Sequence, residues 1–213
     1  MTKKLWQASL NQKKNSNLFK FENYISKKFN KKFNNDFQKI LDWSIKNSSE
    51  FWSSFWDFTK INGKKNSKNS KKIKKSKVFY KNLFLPGSTL NFANNLLAKN
   101  DKKKVATFIS ENGFREERSW LNLNQNTNKL VQFLKNKKIK QKDRVAAYMP
   151  NTIETVEAFI STTAIGAIWS SCSPDFGVKG VIERFSQINP KILFITDQYF
   201  YNGKQINIID RLP

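Results

Sequence analysis

Two polar segments of the chain have residue types that could bind a ligand. The first, residues 169–177, reads WSSCSPDFG and lies between an apolar run and an amphipathic one. The second, residues 197–204, reads DQYFYNGK and also follows an apolar run. Open parallel sheets bind ligands where their strands end, so both segments lie where a binding site would be expected. Gly203 beside Lys204 could hold a phosphate, because glycine permits close backbone approach to the anion.

Each segment also has an ordinary structural interpretation. Residues 173–175, Ser-Pro-Asp, could begin a helix with proline at its first position. Residues 197–204 could be an ordinary polar turn. Cys172 ends an apolar run, and the chain has no histidine or second cysteine to activate it. We therefore expect Cys172 to be buried as a small apolar side chain.

The composition excludes several classes of catalytic site. A chain without histidine and with one cysteine cannot contain a Ser-His-Asp triad, a His-dependent zinc site or an internal disulfide. Neither G-x-G-x-x-G nor G-x-x-x-x-G-K-[ST] occurs in it. The sequence also lacks a signal peptide and any apolar run long enough to cross a bilayer, so we expect a cytoplasmic protein.

The chain is strongly basic, with a formal net charge of +23 over 213 residues. Such a charge first suggests nucleic acid or an anionic membrane surface as the partner. The charge comes, however, from 34 Lys and only 5 Arg, and the chain also has 26 Asn. Because Arg is the residue suited to bidentate phosphate and guanine contacts, this bias indicates AT-rich codon usage. We expect neither nucleic acid nor a membrane as a partner.

The first part of the chain is predicted to be helical and then lysine-rich. Apolar residues recur at helical spacing in residues 33–45 and 51–58, and Asn47 with Glu50 has the spacing of a capping box. Two short helices cannot enclose a core, so we expect their aromatic residues to be buried against a larger domain. Residues 60–81 contain ten lysines and no acid, which predicts a solvated connector.

The second part of the chain has the pattern of an α/β fold. Residues 105–109 and 115–120 predict a hairpin with an Asn-Gly turn, followed by a helix with Asn122 as its N-cap. Apolar runs that predict strands then alternate with amphipathic runs that predict helices, at residues 145–149, 152–165, 168–172, 178–188 and 192–196. This alternation is typical of βαβ units and a parallel sheet. The sheet would stop after about three strands, so we expect a truncated domain.

Segments along nearly the whole chain, except the lysine-rich connector, are similar to one enzyme family. They are LWQAS (5–9), PGSTLNFANNLL (86–97), DRVAAYMPN (143–151), GAIWSSCSPDFGV (166–178), RFSQINPKILF (184–194) and YNGK (201–204). In these segments the chain resembles the acetoacetyl-CoA synthetases, which are adenylate-forming acyl-CoA synthetases. The resemblance implies an acid–thiol ligase, in which ATP and acetoacetate form an acyl-adenylate and pyrophosphate. The CoA thiol then displaces AMP.

The resemblance also implies a domain organisation. Residues 1–98 would be the small N-terminal helical domain of acetyl-CoA synthetase type, including the connector at 60–81. Residues 99–213 would be the first part of the AMP-binding domain, with a parallel or mixed sheet. The family's phosphate loop, its metal-binding acid and its catalytic lysine would lie beyond residue 213. We therefore expect an N-terminal fragment with no catalytic or metal-binding residue, inactive by itself, from an enzyme that uses ATP, CoA and Mg²⁺.

Only the CoA side of the family's site carries over to residues of this chain. Tyr201, Asn202, Gly203 and Lys204 match a loop that contacts the nucleotide part of CoA in related acetyl-CoA synthetases. That loop has an arginine at each end, whereas this chain has Tyr201 at one end and Lys204 at the other. Lys204 is therefore the remaining cation that could pair with a CoA phosphate. Residues 169–177 resemble the part of the family near the acyl and pantetheine channel.

Two alternatives stay open at this stage. The acid could be another short one, such as acetate or propionate. From a different class, the chain could be a basic module that binds nucleic acid or acidic lipid, as its charge and the position of Trp52 and Trp56 near the lysine run suggest.

Overall fold

The computed structural model describes residues 5–66, 68, 73–74 and 76–211. The chain forms two compact units, Met1–Leu90 and Asn91–Pro213, here called the helical unit and the α/β unit. The short helix that follows Asn91 packs within the α/β unit. No helix of the described ranges is long and apolar enough to cross a membrane.

The helical unit has four described α-helices where the sequence pattern predicted two. They are α1 (Leu10–Asn15), α2 (Asn17–Phe29), α3 (Phe37–Lys46) and α4 (Ser48–Thr59). The capping box predicted at Asn47 and Glu50 is wrong: Asn47 is the N-cap of α4 but makes no side-chain cap hydrogen bond. Its amide instead donates to the carbonyl of Trp43, at 3.1 Å, at the end of α3.

These helices enclose an apolar core of their own. Its buried members are Phe21, Ile25, Phe33, Ile40 and Trp43. We expected the aromatic residues to be buried against a larger domain because only two helices were predicted here. The unit also contains α1 and α2, and α2, α3 and α4 pack against one another around this core.

Most described residues of the lysine-rich stretch are exposed, and two pairs of them form short strands. Strand β1 (Gly63–Lys64) pairs antiparallel with β4 (Thr89–Leu90), and β2 (Ile73–Lys74) with β3 (Leu83–Phe84). The ammonium of Lys65 lies 2.6 Å from the carboxylate of Asp57 on α4. Residues 67, 69–72 and 75 of the predicted connector lie outside the described residues.

The α/β unit begins with a helix and a hairpin. Helix α5 (Phe92–Leu96) precedes β5 (Lys104–Ile109), which pairs antiparallel with β6 (Arg115–Ser119). The predicted hairpin is therefore confirmed. Helix α6 (Trp120–Asn136) starts earlier than predicted, because its N-cap is Ser119 and not Asn122. The Ser119 hydroxyl accepts from the Asn122 N–H at 3.1 Å, which satisfies a free donor of the first turn.

A three-stranded parallel sheet follows, as predicted. Its strands are β7 (Arg144–Tyr148), β8 (Ile168–Cys172) and β9 (Ile192–Ile195), in the order β8-β7-β9. Helix α7 (Ile153–Ala164) connects β7 to β8, and α8 (Val178–Ile188) connects β8 to β9. The central strand β7 contributes side chains to two cores: Val145 packs with Leu134 of α6, and Tyr148 packs with Phe185 of α8.

A second hairpin follows β9, before the short 3-10 helix Ile209–Arg211. Strand β10 (Gln198–Tyr201) pairs with β11 (Lys204–Asn207), so that only Asn202 and Gly203 form the turn. Both turn residues have positive φ angles, 51° and 71°. This geometry is that of the turn whose twist matches the hairpin, and Asn-Gly is its preferred pair. The sequence pattern predicted only a polar loop here.

Candidate functional site

The structure brings the two polar segments singled out in the sequence into one cleft. The cleft lies at the carboxyl ends of β7 and β8, faces hairpin β10–β11 and has a volume of about 280 Å³. Its lining comprises Met149, Pro150, Asn151, Thr155, Ser171, Cys172, Ser173, Pro174, Asp175, Tyr199, Phe200 and Tyr201. A ligand in it would therefore contact the ends of parallel strands, where open sheets bind their ligands.

The loop after β8 forms one wall of the cleft. The Ser173 hydroxyl donates to the Asp175 carboxylate at 2.7 Å and accepts from the Asp175 N–H at 3.3 Å. Helix α8 begins only at Val178, after Gly177. The alternative interpretation of residues 173–175 as a helix start is therefore wrong, and these residues are a turn at the cleft.

Tyr148, at the end of β7, holds this loop in place. It is 1% exposed, and its hydroxyl lies 3.0 Å from the carbonyl of Pro174 and 2.8 Å from that of Phe176. A buried tyrosine hydroxyl needs such a partner. The sequence pattern placed Tyr148 in an apolar strand and gave it no role at the site. The phenol hydroxyl among apolar residues was the one sign that this side chain needs a hydrogen-bond partner.

Tyr199 joins the two walls of the cleft. Its hydroxyl donates to the Asp175 carboxylate at 2.9 Å, although the two residues lie on the hairpin and on the loop after β8. Asp175 thus accepts from Ser173 within its own loop and from Tyr199 across the cleft. The Tyr199 hydrogen bond thus links the hairpin to the loop after β8.

The hairpin tip carries the predicted CoA residues Tyr201, Asn202, Gly203 and Lys204. Tyr201 lines the cleft and is 54% exposed. Lys204 lies opposite Tyr201 in the antiparallel register and is exposed. Across the described ranges, no carboxylate lies within ion-pair distance of its ammonium. Lys204 can therefore pair with an anion from solution without breaking an ion pair described here.

Other residues of the first segment have structural roles. Cys172 is buried, as expected, and burial raises the pKa of its thiol despite the nearby charge of Arg184. The thiol is thus kept neutral. Trp169 packs beside Phe159 and Phe194, in the core that also contains Val145.

A second, mostly apolar cleft of about 420 Å³ lies beside the first. It shares Pro150, Tyr199 and Phe200 with the first cleft and is also lined by Glu111 and Phe114, near the turn of hairpin β5–β6. The tips of the two hairpins meet at its edge, where the Gly203 N–H donates to the Glu111 carboxylate at 3.1 Å.

The sequence of the α/β unit matches a known family model. The model, described as AMP-binding enzyme, matches residues 96–212, more than half of the chain. The chain belongs to the AMP-binding enzyme family. The family resemblance expected from the sequence is thus confirmed.

Curated relatives support this assignment. The chain is 34% identical to the acetoacetyl-coenzyme A synthetase of Rhizobium meliloti (strain 1021), over 96% of this chain and 31% of the relative. It is 36% identical to the acetoacetyl-CoA synthetase of Gallus gallus, over 83% of this chain and 27% of the relative. A malonamoyl-CoA synthetase of Penicillium aethiopicum is 29% identical over 94% of this chain and 28% of that protein. The chain thus spans less than a third of the length of these relatives.

The fold of this AMP-binding family member also matches a solved structure. An acetoacetyl-CoA synthetase from Streptomyces lividans superimposes with a TM-score of 0.89 over 99% of this chain and 32% of that one, at 24% identity. This match confirms the α/β fold class with a preceding helical part.

Proposed function

We propose that this chain is the N-terminal part of an acetoacetate–CoA ligase. Such an enzyme converts acetoacetate, ATP and CoA into acetoacetyl-CoA, AMP and pyrophosphate through an acyl-adenylate. The observation that carries the proposal is the 34–37% identity to curated acetoacetyl-CoA synthetases, over 83% or more of this chain. The family match at residues 96–212 supports the adenylate-forming chemistry.

The residues of this chain fit the CoA side of that reaction better than the metal side. In this proposal, the binding of ATP and Mg²⁺ is assigned to parts of the enzyme other than the described residues, as the family resemblance implies. An exposed lysine on a hairpin, beside a cleft at the strand ends, is in contrast suited to an anionic ligand that extends into the cleft.

In this proposal, Lys204 pairs with a CoA phosphate and the Asn202–Gly203 turn allows the phosphate to approach the backbone. Tyr201 faces the cleft, so the pantetheine arm passes along the wall formed by residues 171–175. CoA supplies the thiol that attacks the acyl-adenylate. The residues of this chain bind and orient CoA, and we assign no proton transfer to them.

Replacing Lys204 tests the CoA contact directly. We expect Lys204→Ala to weaken CoA binding by about tenfold, because a charge-assisted contact with phosphate is lost. Lys204→Arg should retain most of the affinity. Isothermal titration with CoA and with pantetheine measures the effect, and pantetheine should show no difference because it has no phosphate.

The matched control for this test is Lys129→Ala, which removes an equal charge from the exposed surface of α6. If Lys129→Ala weakens CoA binding as much as Lys204→Ala does, the contribution is general electrostatics and the proposed contact is wrong.

The proposal also makes an expectation about catalysis by the 213-residue chain. We expect it to show no acetoacetate-dependent ATP–pyrophosphate exchange, since orienting the triphosphate needs groups that the described residues do not supply. Clear exchange above a no-acetoacetate control would contradict the proposal.

The coding sequence gives a further test. A loop of the type Ser/Thr-Ser-Gly-Thr-Thr-Gly encoded downstream of codon 213 would support the proposal. If the resulting enzyme preferred acetate or propionate to acetoacetate, the alternative acids would be favoured.

A further inference from the structure

The tips of the two hairpins of the α/β unit touch through a single carboxylate. Glu111 lies at the tip of hairpin β5–β6, and its Oε2 accepts from the N–H of Gly203 at 3.1 Å. The tip that carries Glu111 is well ordered by its own hydrogen bonds: the Ser110 N–H donates to the Phe114 carbonyl, and the Gly113 N–H to that of Ser110. Glu111 is thus held at this position by its backbone.

The partner of Glu111 is an outward-facing backbone donor. In a two-residue hairpin turn with both φ angles positive, the N–H groups of the central residues are not used by the strand ladder. Gly203 is one of these residues. A Cβ added at Gly203 would meet no atom within 4 Å, so the glycine is favoured by its φ angle of 71° and not by a lack of space.

The same turn is the one that the proposed function assigns to a CoA phosphate. A carboxylate oxygen and a phosphate oxygen are both anionic acceptors and suit the same N–H donor. Lys204, the next residue, carries the charge that would attract either anion. The Glu111 carboxylate therefore occupies the position that a phosphate at the Gly203 N–H would need.

We propose that Glu111 is a specificity-determining residue of the CoA site, whose carboxylate occupies the anion position at Gly203 and must move away when a phosphate binds. This inference rests on the proposed function. In this proposal, the Glu111 carboxylate weakens the binding of ligands that carry a phosphate.

Two substitutions separate the charge of Glu111 from its hydrogen bond. Glu111→Gln keeps an oxygen acceptor for the Gly203 N–H but removes the negative charge, whereas Glu111→Ala removes both. We expect Glu111→Gln to tighten CoA binding to the 213-residue chain by about threefold or more at low salt, with a smaller gain at high salt. Binding of pantetheine, which has no phosphate, should not change. Isothermal titration at two salt concentrations measures both.

Glu117→Gln is the charge-matched control on the same hairpin. Glu117 lies on β6 and pairs with Lys104 and Arg115, away from the turn that carries Glu111. Its removal raises the net charge by the same amount, so a gain equal to that of Glu111→Gln would overturn the inference. The amide resonance of Gly203 in a ¹H–¹⁵N spectrum gives a second readout: it should shift in both Glu111 variants and on adding CoA to the wild type.

The outcomes separate this inference from the proposed function. If the wild type binds CoA and Glu111→Gln binds equally or more weakly, the role of Glu111 is wrong and the CoA site stands. If neither protein binds CoA, both the CoA site and the role of Glu111 are overturned. A Gly203 resonance that does not respond to either substitution would show that the contact itself is absent in solution.

Discussion

Replacing Arg118 with leucine should destabilise the α/β unit by about 3 kcal/mol or more, because it leaves a buried carboxylate without its cation. That carboxylate is Glu157 of α7, which is 4% exposed. The Arg118 Nε lies 3.1 Å from its Oε1, and the side-chain amide of Asn126 donates to the same oxygen at 2.9 Å. Arg118 is the only cation within 4.0 Å of Glu157 among the described ion pairs.

Arg118 connects hairpin β5–β6 to helix α7 through several carboxylates. Its Nη1 lies 2.5 Å from Glu116 on the hairpin, and its Nη2 lies 3.2 Å from Glu154 on α7. Burial by itself disfavours the cation, but the hydrogen bonds with Glu116 and Glu157 outweigh this effect and raise the pKa of the guanidinium. The guanidinium is therefore charged at neutral pH.

Hydrogen–deuterium exchange of the β7 amides measures this loss, because they exchange only when the α/β unit opens. Arg115→Leu is the matched control: it removes an arginine from the same hairpin, but one that is 54% exposed and paired with exposed Glu117, so we expect little effect. The double variant Arg118→Leu with Glu157→Leu should recover part of the stability, since no buried charge then remains unpaired. Equal losses in Arg118→Leu and Arg115→Leu would contradict the prediction.

Replacing Phe21 with alanine should destabilise the helical unit by about 3–5 kcal/mol, because it opens a cavity at the centre of an aromatic core. Phe21 is 6% exposed. Its ring lies 5.7 Å from that of Phe51, 6.0 Å from that of Phe55 and 5.1 Å from that of Phe58. These edge-to-face contacts join α2 to α4, so one substitution weakens the packing of two helices.

Phe37→Ala is the control for this substitution. Phe37 lies at the start of α3, lines the same groove as Phe21 and is 60% exposed, so its loss should cost no more than about 1 kcal/mol. Urea unfolding followed by tryptophan fluorescence, with hydrogen exchange of the α2 amides to assign the transition, measures both. If Phe21→Ala is no more destabilising than Phe37→Ala, the helical unit does not depend on the core described here.

The α/β unit was predictable from the sequence in most of its elements. Apolar runs of strand length and amphipathic runs of helix length alternate, and each signal is local. Strand β8 and helix α8 have the predicted bounds, β9 ends one residue earlier than predicted, and β7 and α7 differ from the prediction by one residue at each end. The N-cap of α6 was missed because Ser119 and Asn122 are both good caps three residues apart, and only the start of the hydrogen-bond ladder decides between them.

In the helical unit, the sequence pattern predicted α3 and α4 but missed α1 and α2, and the reason is their composition. Helix α2 contains three lysines, and its only buried apolar residues are Phe21 and Ile25. Lysine and asparagine therefore hide its helical periodicity. Its core forms because three helices each contribute a few aromatic or aliphatic side chains, which no local window of the sequence shows.

For the candidate site, the sequence alone determined the chemical types at its edges and the family to which the chain belongs. Local patterns showed that polar residues follow strands and that Lys204 stands beside a glycine. Only the tertiary structure decided that residues 171–175 and 199–201 share one cleft, that Tyr148 holds its loop and that Glu111 meets Gly203. The physical reason is that these contacts join residues 24 to 92 positions apart, and such pairs are set by sheet order and hairpin packing and not by local spacing.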